Sequence, residues 1–357
     1  MSNSASTSLQ NPAIAALIVS HSRSFDLISL IYTNKSLSPI AERALYRSLV
    51  FSNPQTAYRA CLTLLDAPRL AAYVHTLALT PRRSASPLAN LPRHFWETLH
   101  DVLTKLPSLQ SLVFPDPYGG DASPLASATS FSWVFPLEVP FTLRDAQIMF
   151  PYDAHIAAFV ARQRKLRTLH TAEDVDGQES PTFPDLRVFD GPMAIASQLL
   201  TSPLTHMQTF QHNESDLIAF IPKLRCLRKS LRSLSLHYVP ENRVAETVGH
   251  IGRYCPDIRH IGVLSLPATH RTELHSQLIS FAMLESLEVD LTRGWVPQPA
   301  PPLQRVLASE LRIYCPTLRV FMVWYGSHHF VWKLEDDGGQ GKWRLSQESA
   351  GIGWETV

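Results

Sequence analysis

RYCPDIRHIGV, residues 253–263, returns as IYCPTLRVFMV at residues 313–323. In both, a stretch with helical apolar spacing meets Cys-Pro (Cys255-Pro256 and Cys315-Pro316) and passes into a short β-type run. Proline disfavours helical geometry in the residue before it, so each helix should stop at the cysteine and turn directly into a strand. Helix, stop and strand form one supersecondary unit, used at least twice.

The strand half of that unit is a hexamer with apolar residues at places one and four and, in all but two copies, at place six. It reads VHTLAL from Val74, LQSLVF from Leu109, LRTLHT from Leu166 and LRVFDG from Leu186. It continues as LRSLSL from Leu231, IRHIGV from Ile258, LESLEV from Leu284 and LRVFMV from Leu318. The last four starts lie 27, 26 and 34 residues apart, the repeat distance of stacked units rather than of one enclosed core. In an extended strand the fourth and sixth side chains point the same way. Helical spacing precedes several hexamers, over residues 95–106, 154–164, 243–254 and 276–283. A chain built this way offers surface to a partner more readily than it encloses a catalytic pocket.

Composition narrows the class. The 357 residues are 45% hydrophobic and 18% charged, which describes a folded chain rather than a disordered one. A net charge of +1 gives no global field for nucleic acid or membrane. Four scattered cysteines are neither a dense disulfide framework nor close metal pairs, so a reducing compartment, cytoplasm or nucleus, is expected. No apolar run approaches the ~18 residues of a membrane span.

The ends differ from the middle. Residues 1–10 are Ser/Thr-rich and expected to be flexible. Over residues 11–51 the apolar spacing is helical, with Pro39 near a helix start and Ser38 a candidate cap. Residues 52–325 hold the repeats, interrupted by Pro-, Gly- and Ser-rich or acidic loops at 115–130, 172–185 and 293–302. The 57 residues between Leu109 and Leu166 leave room for one more repeat, with 131–143 as its remnant. Residues 326–357 read as an antiparallel hairpin around Asp336-Asp337-Gly338-Gly339, closing the open end of the array.

No motif calls for catalysis, cofactor or metal. The glycine pairs at 249–252 and 351–353 lack a strand-to-helix context, and Gly339-Gln340-Gly341-Lys342 sits in the hairpin turn. His328 and His329 are adjacent, so their rings diverge in a strand. There is no Gly-x-Ser-x-Gly elbow. The basic run Lys223, Arg225, Arg228, Lys229 and Arg232 interleaves with Leu224, Leu227 and Leu231 and reads as the solvent side of an amphipathic segment.

NPAIAALIVSH from Asn11 and FDLISLIYTNKSLSPIAERALYRSLVF from Phe25 together resemble a degenerate F-box. Asp26-Leu27, Ala41 and Leu45-Tyr46-Arg47-Ser48-Leu49 match the motif, the last most specifically, and the repeats behind it resemble those of fungal F-box-like proteins with leucine-rich repeats. Gln10-Asn11 stands where the motif usually opens with Leu-Pro. Val239, Leu266, Thr292 and Gly326 stand where leucine-rich repeats often carry asparagine. The resemblance implies an α/β fold: an irregular leucine-rich-repeat solenoid, preceded by a small helical F-box-like unit and closed by the C-terminal hairpin. It implies a non-catalytic adaptor, whose partners are a Skp-type subunit with its cullin ligase and an unidentified protein substrate, with neither nucleic acid nor membrane. The adaptor-binding residues implied are Ile14, Leu17, Ile18, Leu27, Ile28 and Ile31. On the strands, the residues flanking the inward pair are expected to meet the substrate: Ser235, His237, His260, Glu288, Asp290, Met322 and, as best anchor, Trp324. The alternative is a stand-alone repeat scaffold whose F-box no longer binds its adaptor.

Overall fold

The structure is a computed structural model and describes residues 12–33, 35–80, 88–117, 131–172, 181–210, 213–268, 271–292, 295, 297–326, 328–337 and 340–346. Residues 1–10, and the greater part of the loops expected at 115–130 and 172–185, lie outside the described residues. The chain divides into two compact units, Met1–Leu166 and Arg167–Val357.

The first unit opens with α1 (Pro12–His21), α2 (Ser24–Thr33) and α3 (Ser38–Arg47). Val19, Leu27 and Ala41 are their buried centre, with Leu30, Ile31, Ile40, Ala44 and Leu45 packed around it. Ser38 does not cap α3: Leu37 holds the cap position without a side-chain bond, and Pro39 with its fixed φ starts the first turn. α3 runs straight into β1 (Ser48–Phe51), followed by α4 (Pro54–Asp66), α5 (Pro68–Ala71), β2 (Thr76–Leu79), α6 (Arg93–Leu103), β3 (Ser111–Phe114), β4 (Asp145–Ile148) and α7 (Ala154–Ala161). Side-chain caps set two of the helix starts. Asn53 accepts from the Gln55 amide, and Asp153 accepts from those of His155 and Ile156. The strands are parallel and lie in chain order, Ser48 opposite Thr76, Thr76 opposite Ser111, and Ser111 opposite Asp145.

The repeat expected between the second and third hexamers exists, but its strand is β4, just beyond residues 131–143. Its phrase is LRDAQI, with Leu143, Ala146 and Ile148 all buried. Residues 131–143 instead hold a short 3₁₀ turn (Ser132–Val134) and supply Phe135 to the core, edge-on to Phe150 at 5.0 Å.

The second unit contains β5 (Thr168–Thr171), β6 (Val188–Pro192), α8 (Met193–Gln198), β7 (His206–Phe210), α9 (Glu214–Phe220), β8 (Ser233–His237) and α10 (Val244–Tyr254). It continues with β9 (His260–Ser265), α11 (Arg271–Leu278), β10 (Ser286–Asp290), α12 (Pro301–Tyr314), β11 (Val320–Tyr325), β12 (His328–Asp337) and β13 (Gln340–Leu345). β6 to β11 each pair in parallel with the strand before them. β12 and β13 are antiparallel, Val320 opposite Lys333 and Trp332 opposite Leu345, so the hairpin forms where the turn residues place it.

All eight hexamers are strands, each beginning at its third residue. Their first, fourth and sixth residues are buried, at about 1.5–3 kcal/mol for each large apolar side chain. Val263 is the exception. The register of β9 on β10 slips between Leu287 and Val289, Val263 takes φ +58°, and Leu264 occupies the buried place opposite Val289. One extra residue in a strand moves everything after it to the other face unless a bulge absorbs it, and here Gly262-Val263 is that bulge. Both Cys-Pro stops form as expected. Cys255 and Cys315 sit at φ −130°, and their amides close the last helical turns on Ile251 and Leu311. Each thiol also points at a carbonyl of the preceding repeat, Leu224 at 3.5 Å and Leu284 at 3.6 Å.

Candidate functional site

Two features hold the candidate side chains, one in each unit. In the first, α1 is almost wholly apolar, PAIAALIVSH, yet buries only Ala15 and Val19. Ile14 and Leu17 are 39% and 60% exposed. α2 buries Leu27 and leaves Phe25, Ile28 and Tyr32 exposed, at the i, i+3, i+7 spacing of one helix face. Of the six residues expected to meet an adaptor, Ile14, Leu17 and Ile28 are exposed and Ile18 and Ile31 half-buried. Leu27 is in the core of the three helices, where its contacts are internal. Phe25 and Tyr32 are the exposed members that the motif match did not single out. A groove of about 790 Å³ lies beside these helices, lined by Ala16, Val19, Ile40, Arg43 and Tyr73, with the Arg43 guanidinium 5.2 Å over the Tyr73 ring.

In the second unit, the third and fifth residues of neighbouring hexamers bring polar side chains side by side. Ser233 lies opposite His260 and His260 opposite Ser286; Ser235 lies opposite Gly262, and Glu288 opposite Met322. His260 bridges three strands: Nδ1 is 3.1 Å from Ser286 Oγ and Nε2 is 3.4 Å from Ser235 Oγ. The same Nε2 is 3.7 Å from Glu288 Oε2. Trp324 donates its indole N–H to Glu288 Oε1, and its ring stacks on His329 at 4.2 Å. Gly262 is required here, because a Cβ would stand 2.2 Å from Ser235 Oγ and 2.7 Å from His260 Nε2.

Serine, imidazole and carboxylate in contact suggest hydrolytic chemistry, but burial decides otherwise for this cluster. Ser235 and His260 are 0% exposed. Desolvation, with His206 adding like-charge repulsion, pushes the His260 pKa down to about 3, so it is neutral and a poor base near pH 7. Burial raises the Glu288 carboxyl, partly offset by the Trp324 hydrogen bond. The cluster is a buried polar layer whose hydrogen bonds link four strands, although Ser233 Oγ and His329 Nε2 beside it have no hydrogen-bond partner among the described residues.

Of the seven residues expected to meet a substrate, Ser235, His260, Glu288 and Met322 are therefore buried, while His237, Asp290 and Trp324 are partly accessible. His237 is held below the usual imidazole range by burial, against the pull of Asp190 and Asp290. Ser286 and His329 belong to the same layer but were not among those seven; third-place polarity in LESLEV is the sign that marks Ser286. Among the described residues, no group of three or more His, Cys, Asp or Glu side chains is placed to hold a metal ion, and no helix is long and apolar enough to cross a membrane. The chain matches no protein-family model and no curated protein.

Proposed function

We propose that this protein is a non-catalytic adaptor, in which α1–α3 dock on a Skp-type subunit of a cullin ubiquitin ligase. In this reading the strand–helix units form an irregular leucine-rich-repeat solenoid that holds a protein substrate. The observation that carries it is the division of apolar residues in α1 and α2. Val19 and Leu27 serve the internal core, while Ile14, Leu17, Phe25, Ile28 and Tyr32 remain exposed. A helix apolar on all sides is normally buried on all sides, so these residues suit a helix-in-groove partner. Four free cysteines support a reducing compartment, cytoplasm or nucleus.

Co-purification of the full chain with a Skp-type subunit tests the reading. Leu17→Asp and Ile28→Asp should abolish association while leaving the melting temperature unchanged. Leu27→Asp, in the core, should unfold the three helices and serves as the contrast. An intact chain that fails to bind any Skp-type subunit sinks the proposal and leaves a stand-alone scaffold.

A further inference from the structure

The second residue of each hexamer stands just outside its strand, and these residues are in lateral register. In the second unit each accepts, through its carbonyl, the amide of its counterpart in the next repeat. Arg187 donates to Arg167 at 2.8 Å, Thr205 to Arg187 at 2.8 Å, Arg232 to Thr205 at 2.7 Å and Arg259 to Arg232 at 2.7 Å. Glu285 donates to Arg259 and Arg319 to Glu285, both at 2.8 Å. Strands pair about 4.8 Å apart, so the six steps from Arg167 to Arg319 span roughly 29 Å along the start of the sheet.

Five of these seven positions are arginine, in a chain whose net charge is only +1. Arg167, Arg187, Arg259 and Arg319 are exposed and Arg232 half-exposed. Among the described residues Arg187 and Arg232 donate to neutral carbonyls, of Pro203 at 3.3 Å and of Leu231 and Lys229 at 3.2 and 3.1 Å, and neither forms an ion pair. Glu285, 3.8 Å from Arg259, is the carboxylate within the row. Just before their hexamers, Arg228 and Lys229 are exposed, and so are Asp185 and Asp257. At the far end Arg319 and Arg312 open onto a cavity of about 640 Å³, shared with Met283, Glu285 and Thr317.

We propose that this row of arginines binds an extended acidic peptide lying across the starts of β5 to β11. Guanidinium forks match carboxylates in bidentate geometry, and 29 Å accommodates about nine extended residues. A nucleic acid is disfavoured because none of the seven positions carries an aromatic ring on which a base could stack. The inference deepens the adaptor reading, on which it rests for its biological occupant: the protein held by the repeats would present an acidic stretch.

The test is fluorescence anisotropy of the full chain with a labelled nine-residue Asp/Glu peptide, and with a single-stranded oligonucleotide of equal charge. The peptide should bind at low ionic strength and weaken steadily with salt. Arg187→Glu with Arg259→Glu should weaken binding at least about tenfold. Arg93→Glu with Arg305→Glu, which change the net charge equally but are not members of the row, should stay within about twofold. Absence of salt-sensitive peptide binding, equal loss in both double variants, or tighter binding of the oligonucleotide overturns the proposal. Leu17→Asp should leave peptide binding intact, so failure here and failure of adaptor docking are separately visible.

Discussion

Trp324 on β11 donates its indole N–H to the buried carboxyl of Glu288 on β10, one strand away. The hydrogen bond offsets part of the cost of burying that carboxyl. Trp324→Phe removes the donor and part of the ring stacked on His329, so it should destabilise the fold by about 1–3 kcal/mol or more, the lower range being that for a buried group left unsatisfied. Glu288→Gln retains an acceptor and should cost less. Urea unfolding of both variants and of the double variant should show a coupling term between them; strict additivity would mean that the bond contributes nothing.

Acid should weaken the protein from pH 6.5 downward. His260 ordinarily titrates at 6.5 and in the fold at about 3. Between those values the unfolded chain takes up the proton and the folded chain does not. Stability is therefore whole above pH 6.5 and is lost as pH falls toward 3, at up to about 1.4 kcal/mol per pH unit from this group. Burial also lowers His237, His275 and His329, which act in the same direction. Glu288, raised from 4.5, acts in the opposite direction as pH falls through the range between its folded and ordinary values. Unfolding free energies at pH 7.5, 6.5 and 5.5 should fall in that order, with a shallower slope in His260→Asn. A flat profile would contradict the buried neutral imidazole.

Two backbone positions should respond with opposite signs. Gly262→Ala places a methyl 2.2 Å from Ser235 Oγ and 2.8 Å from Glu288 Oε2, and should cost about 1–3 kcal/mol. Tyr238, with φ +65° and 68% exposure, loses little packing when replaced. Tyr238→Gly should gain about 0.5 kcal/mol, the left-handed strain relieved minus the added freedom of the unfolded chain. Paired thermal melts distinguish the two.

Thiol chemistry should single out one cysteine of four. Burial pushes Cys61 and Cys255 up to about 12 and raises Cys315, while Cys226 is exposed. The thiolate is the reactive form. A disulfide reagent at pH 8 should therefore titrate one thiol quickly in the native protein and four after denaturation. Cys226→Ser should abolish the fast phase.

Much of the fold is legible in the chain because Leu, Ile, Val or Phe at fixed places marks a strand against a helix. The same rule passes over LRDAQI at 143–148 and LTHMQT at 204–209, where Ala146, Met207 and Thr209 fill buried places that only neighbouring packing defines. It also reads Val263 as buried, because a bulge depends on register with β10 and leaves no trace in hydrophobicity. The site divides in the same manner. Alternation identifies which residues leave the apolar face of a strand, but not whether that second face meets water. Ser235 and His260 therefore look outward in the sequence and are enclosed in the fold. The arginine row is the reverse case: its residues are plain in the hexamers, and only the carbonyl ladder shows them to be neighbours.

The chain-order pairing of the strands also governs how the protein is made. Within each unit every parallel strand joins the one synthesised just before it, so no strand waits for a distant segment to leave the ribosome. Loop closure stays short at every step, and the nascent chain can lay down one rung at a time. The growing sheet always ends in one unpaired strand, the edge most prone to wrong association. In the second unit β12 and β13 cover the edge of β11 in antiparallel pairing soon after that strand is made.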